Sequence, residues 1–210
     1  MIKNNKRTLI ITTLLLLVPV VLGLALWGRL PAQIPTHFDG AGVPDRYSSK
    51  LFAVVGLPLI LLALHWVCVL ATNADPKGKN ISGKAMGAAL WAIPVISIVM
   101  HSIMYAVALG HEINVVLITT TLVGLVLIAV GNYLPKCSRN YTVGIKLPWT
   151  LDSDDNWNRI HRLGGRVFVL GGAVILICGV LGHAWVLLPV ILVMVLVPCV
   201  YSYLLYRKQK

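Results

Sequence analysis

Six histidines, seven acidic side chains and four cysteines are the groups in this 210-residue chain able to move a proton, hold a metal or attack an electrophile. Their spacing argues against the familiar arrangements one by one. "DSDDNW" sets Asp152, Asp154 and Asn156 at positions 1, 3 and 5 of a calcium loop, but Trp157 stands where that loop needs glycine and Leu163 where it needs glutamate. "HEINV" at His111 supplies the first half of a zinc-protease helix motif and lacks the second histidine. Cys137 or Ser138 can be drawn beside His161 and Asp152 as nucleophile, base and orienting acid, yet nothing in the spacing brings them together. His37, Asp39, Asp45, His111, Glu112 and His183 leave a composite metal or proton site as an open alternative. The expectation is a protein that is not an enzyme, with no cofactor, no metal and no catalytic residue.

His65 and His101 interrupt otherwise apolar runs, and an ionisable group at membrane depth is a functional candidate. At 1.5 Å per helical residue their depths differ by roughly 9 Å. No Asp, Glu or Lys lies deep in any run to relay a charge. Neutral imidazoles bonded to neighbouring helices are therefore expected, and a small transporter or channel remains the alternative function.

The elements carrying these residues follow from composition. The chain is 58% hydrophobic and 12% charged with mean hydropathy +0.83, so lipid is its solvent. A hydrocarbon core about 30 Å thick takes roughly 20 apolar residues per helical crossing. Runs at 8–27, 51–71, 85–109, 113–134, 164–181 and 184–206 meet that need, the fifth with Arg166 close enough to its start to snorkel. The prediction is an all-α polytopic membrane protein with six transmembrane helices. Of 18 Lys and Arg, 15 fall in the segments on one side, from Lys3 at one end to Lys210 at the other. Only Arg29, Arg46 and Lys50 fall opposite, which makes both termini cytoplasmic. The net charge of +11 is then explained by topology and contact with the lipid bilayer, with no direct nucleic-acid partner required.

Two loops are long enough to act. Residues 28–50, in an N-terminal membrane region spanning 1–84, form an extracytoplasmic loop rich in Pro and Gly and hence built of turns. In a second membrane region, 85–210, the cytoplasmic loop 135–163 holds "YTVGIKLPW", whose alternation suggests a strand. A helix follows, capped by Asp152 or Ser153. Its Arg159, Arg162 and Arg166 share one face and Trp157, Ile160, His161 and Phe168 the other, the pattern of a helix lying on the inner membrane surface before turning in. Trp149 and Trp157 are expected to dock this unit to the bilayer. Gly83 and Gly87 form a small-xxx-small pair that permits close helix contact.

"GNYLPKCSRNYTVGIKLPWTLDSDDNWNRIHRLGG", from Gly131 to Gly165, resembles the signature of the SdpI family, membrane proteins typified by the immunity protein against the sporulation-delaying toxin of bacilli. "LPAQIPTHFDGAGVPDRYSSK" is similar to the motif of an uncharacterised bacterial membrane domain that commonly precedes it. The likeness covers about residues 10 to 200. It implies a six-helix protein of the bacterial inner membrane that resists a membrane-active peptide toxin and captures a soluble transcriptional repressor at the membrane. The outer motif falls on Pro35, His37, Phe38, Gly40, Gly42, Pro44 and Asp45, with Asp39 between them. The inner motif falls on Gly131, Asn132, Leu134, Pro135, Lys136, Asn140, Gly144, Ile145, Lys146, Pro148, Trp149, Thr150, Trp157, His161 and Arg162. Where the family usually has Arg this chain has Lys146, which keeps the charge and loses the bidentate fork.

Overall fold

The computed structural model describes residue 2 and residues 5–81 and 83–208. Lys3 and Lys210, counted in the charge asymmetry, lie outside the described residues. Along the chain run helix α1 (Lys6–Ala25), strands β1 (Gln33–Phe38) and β2 (Pro44–Ser49), and then helices α2 (Leu57–Asn73), α3 (Gly83–Ala108), α4 (Val115–Tyr133), α5 (Pro148–Asp152), α6 (Asp154–Val180) and α7 (Leu187–Lys208). All the helices but the short α5 belong to the six segments long and apolar enough to cross a membrane. The chain is an all-α polytopic membrane protein apart from one hairpin.

The exposed surface confirms the solvent. On α7, Leu188, Val193, Leu196 and Val200 are 66%, 54%, 56% and 55% exposed. A soluble helix would bury such residues; here they meet acyl chains.

The chain divides into two compact units, residues 1–70 with 89–119, and residues 71–88 with 120–210. In the first, Leu30, Ile34, Ala53, Val54, Met104 and Tyr105 make a buried cluster to which Phe38 and Leu109 add. The Tyr105 hydroxyl donates to the Pro19 carbonyl at 3.0 Å, fastening α3 to α1. His65 Nε2 lies 3.3 Å from the Thr12 hydroxyl, which itself donates to Thr8 O at 2.9 Å, so the imidazole bonds across to α1 as expected. His101 differs. Its Nδ1 bonds the Ser97 carbonyl one turn back in its own helix, at 2.7 Å, because that i−4 acceptor is nearer than any neighbour.

In the second unit, glycines let α4 and α6 touch. A Cβ on Gly124 would come 2.8 Å from Gly172 O, and a Cβ on Gly131 would come 2.8 Å from Gly165 O. Two helical turns further along α6, Gly179 abuts Thr120. On α6 the glycines thus recur every seven positions, at 165, 172 and 179, along an antiparallel seam whose α4 side is Gly131, Gly124 and Thr120. The pair expected from the sequence, Gly83 and Gly87, has nothing within 4 Å, because the contact that small residues permit still needs a partner helix opposite.

Three further expectations are corrected. The loop at 28–50 contains two six-residue strands as well as turns, since Gln33 to Phe38 and Pro44 to Ser49 pair antiparallel around a short turn. "YTVGIKLPW" forms no strand: its amides are taken by side chains, and its last residues open α5. Finally, α6 does not turn at the membrane surface but runs unbroken for 27 residues. Gly164 and Gly165 bring Ile145 and Pro135 close to the helix and do not end it.

Candidate functional site: an exposed hairpin and a knotted loop

The β1–β2 hairpin is closed by Asp39, whose Oδ1 accepts the amides of Ala41 and Val43, each at 2.9 Å. Gly42 takes φ +80°, the left-handed region a side chain would disfavour. Phe38 packs on the buried cluster and Pro35 is buried opposite Tyr47. These residues build the hairpin. What it presents to its surroundings is His37 and Asp45, joined Nδ1 to Oδ1 at 2.5 Å and 57% and 41% exposed, together with Gly40 and Tyr47. The His37 hydrogen bond holds the Asp45 carboxyl below its ordinary range. Pro44 pairs with Phe38 at the end of the ladder.

The second motif is centred on Asn140, which is fully buried. Its amide donates to the carbonyls of Ser138 and Val143 at 2.9 and 3.0 Å, while its oxygen accepts the amides of Thr142 and Val143 at 3.0 and 2.7 Å. One side chain therefore folds the loop around itself. Trp157 lies inside that fold, 1% exposed, with its indole N–H donating to Cys137 O at 2.7 Å. The prediction that Trp157 meets lipid is thus wrong: a buried indole needs a partner, and the loop provides it. His161 stacks on it, ring centroids 4.0 Å apart.

His161 has both nitrogens committed. Nδ1 donates to Trp157 O at 2.8 Å, and Nε2 accepts the Ile145 amide at 3.0 Å. Gly144, at φ +122°, is held against this pair; a Cβ there would collide with Nε2 and touch the Trp157 ring. Thr150, also fully buried, accepts the Leu147 amide at 2.8 Å and turns the chain into α5. The nucleophile arrangement considered above does not form: His161 is occupied, and the Cys137 thiol donates to Tyr133 O, with burial pushing its pKa up.

The remaining motif residues are outside this knot. Asn132, Pro135, Lys136, Lys146, Pro148 and Arg162 are exposed. Trp149 is half-buried, stacked on Tyr206 and tilted against Tyr203 of α7, 5.7 and 5.5 Å between centroids. Pro135 packs on Gly165.

Sequence reasoning missed four residues. Asp75 accepts the Tyr141 amide and the Thr142 hydroxyl through Oδ2, at 2.9 and 2.8 Å, and the Lys77 amide through Oδ1 at 2.8 Å. Arg139 grips Asp154 and donates to Leu151 O at 2.8 Å. Asn156 and Ser202, both fully buried, exchange two hydrogen bonds, 3.0 and 2.7 Å, between α6 and α7. The "ADP" around Asp75 reads as a local turn and carries no sign of its distant partners. Asn156 on the buried face of α6, beside Trp157, is a signal that could have been used. Among the described residues no three His, Cys, Asp or Glu gather as a metal site.

Two family profiles and one curated protein match the chain. The profile of the SdpI/YfhL protein family matches residues 136–202, and that of a domain of unknown function, DUF1648, matches residues 14–62. Over its length the chain is 25% identical to Immunity protein SdpI of Bacillus subtilis (strain 168), across 98% of this chain and 97% of that protein. No solved structure matches it. The chain thus resembles the SdpI/YfhL family over residues 136–202 and DUF1648 over residues 14–62, and it is a multi-pass protein of the bacterial inner membrane.

Proposed function

We propose that this protein gives its host immunity to a membrane-active peptide toxin and, when the toxin is present, holds a soluble transcriptional repressor at the membrane. The full-length likeness to an immunity protein carries the first half. The second rests on the division of exposed residues between two motifs. The Lys and Arg distribution orients the hairpin of region 1–84 away from the cytoplasm, where a secreted peptide arrives. The same distribution orients the loop 135–163 of region 85–210 inward, where a repressor is found. On the hairpin, His37, Gly40 and Asp45 are the contact residues, with Pro35, Phe38, Asp39, Gly42 and Pro44 shaping it. On the loop, Lys146, Pro148 and Arg162 offer the contact surface, with Trp149 beside them and the buried Asn140, Thr150, Trp157 and His161 and the half-buried Gly144 and Ile145 holding them in place. Coupling the two requires two conformations that the partners bind unequally.

The test is a deletion strain challenged with a panel of membrane-active peptides and complemented by variants, with a repressor-dependent reporter read in parallel. Wild type is expected to restore growth against at least one peptide and to induce the reporter. If scrambling both exposed motifs changes neither readout, the assignment fails.

A further inference from the structure

Where α4 meets α6 there is a recess of about 440 Å³ that joins two kinds of wall. At one end are Lys136 and Arg166, both exposed, and the Asn132 amide. At the other are Val169 and Leu170, the latter 66% exposed on the lipid-facing side of α6. The floor is Gly131 against Gly165, which carry no side chains to fill it.

The polar end is unneutralised. Of the nearby arginines, Arg139 is spent on Asp154 and Arg159 on Asp155, while the exposed Arg162, one turn before Arg166, has no ion pair among the described residues and adds to the positive charge. Among the described residues neither Lys136 nor Arg166 has a carboxylate partner; the Lys136 ammonium lies over the Tyr133 ring, 5.4 Å from its centre. Asn132 gives one N–H to Ile128 O and keeps a second to offer.

Depth then limits the occupant. Lys136 ends the fourth span, and Arg166 lies 14 residues before the end of α6 at Val180, about 21 Å of helix in a core of about 30 Å. With its own length added, the guanidinium snorkels toward the inner interface. Leu170 is one turn deeper, within hydrocarbon. A soluble protein could reach the cations but not Leu170, and a free phosphate would leave the apolar wall uncovered. A zwitterionic lipid would bring a third cation to two that already lack a partner. One amphiphile satisfies both walls.

We propose that this recess binds one anionic phospholipid, its phosphate between Lys136 Nζ and the Arg166 guanidinium and an acyl chain along Val169 and Leu170. The site takes Lys136, a residue of the inner motif, out of any protein contact and makes it a lipid ligand. It stands independently of the toxin and repressor roles.

Full-length protein is purified in detergent, titrated with equal phosphatidylglycerol and phosphatidylcholine, and its retained lipid is read by native mass spectrometry. Wild type should retain the anionic lipid in preference by roughly tenfold or more, as two interfacial cations imply. K136Q/R166Q should abolish the preference, while R207Q/K208Q, which removes the same charge from the end of α7, should keep it. If K136Q/R166Q does not fold, Arg166→Gln must lose preference that Arg166→Lys retains. A wild type without preference, equal loss in both double variants, or displacement of the lipid by millimolar inorganic phosphate would overturn the site.

Discussion

Gly131 of α4 and Gly165 of α6 lie so close that a Cβ on either would stand 2.8 Å from the other's carbonyl oxygen. Backbones packed at that distance gain dispersion contact that lipid cannot supply, and the loop after α4 is thereby set beside α6. Gly131→Val or Gly165→Val should force the seam apart and lower stability by about 2 kcal/mol or more, read as a fall in Tm in detergent. The comparison is Gly83→Ala or Gly87→Ala, which meet nothing within 4 Å. Those should be neutral or stabilising by up to about 1 kcal/mol, since Ala is the better helix former.

The knot around Asn140 predicts a second graded series. His161→Ala strands the part-buried Ile145 amide, at a cost of roughly 1 kcal/mol or more, and also removes the ring stacked on Trp157. Gly144→Ala should cost at least as much, because it adds strain at φ +122° to a collision with the same imidazole. Combining the two should be less damaging than the sum, since the alanine at 144 then faces the space the ring vacated. A double-mutant cycle on thermal unfolding measures this; strict additivity would refute the shared contact.

How far the sequence discloses this architecture depends on the range of the interaction. The helices are readable because each apolar run must satisfy its backbone internally in lipid, a local requirement. The Ser153 cap of α6 is readable for the same reason, its hydroxyl accepting the Asn156 amide at 3.2 Å. The arginine face of α6 and its buried counterface also follow from periodicity alone. Trp157 and Asp75 do not: whether an indole faces lipid or a loop, and whether a turn aspartate reaches another loop, are settled by tertiary contacts. The motif residues were visible by resemblance, but their sorting into buried supports and exposed contacts needed coordinates.

Asp75 makes the loop tether depend on pH. Burial alone would raise its carboxyl pKa, but the Thr142 hydroxyl and the amides of Lys77 and Tyr141 outweigh that and leave it below the ordinary 3.8. A value lower in the folded state than in the unfolded one stabilises fully above pH ~4 and fades as acid protonates the folded carboxylate. Below pH ~4 the Tm of wild type should therefore fall more steeply than that of Asp75→Ala, whose curve lacks this component. Parallel curves would show that the tether contributes nothing to folding.

On the hairpin, stability and function should separate. His37 and Asp45 are an exposed pair, and such pairs add little to folding. The turn itself is closed by Asp39 and Gly42. Asp45→Ala should consequently reach the membrane at wild-type level by immunoblot while peptide resistance drops several-fold in inhibitory concentration. Lys146, equally exposed on the other loop, gives the reciprocal case: its ammonium donates to Thr142 O at 2.9 Å, a bond the loop can lose while Asn140 holds it. Lys146→Ala should leave resistance intact and weaken the reporter response. The pair of variants tests the division of labour directly, for if Asp45→Ala and Lys146→Ala impair resistance and reporter to the same extent, outer and inner contacts are not distinct functions of the two motifs.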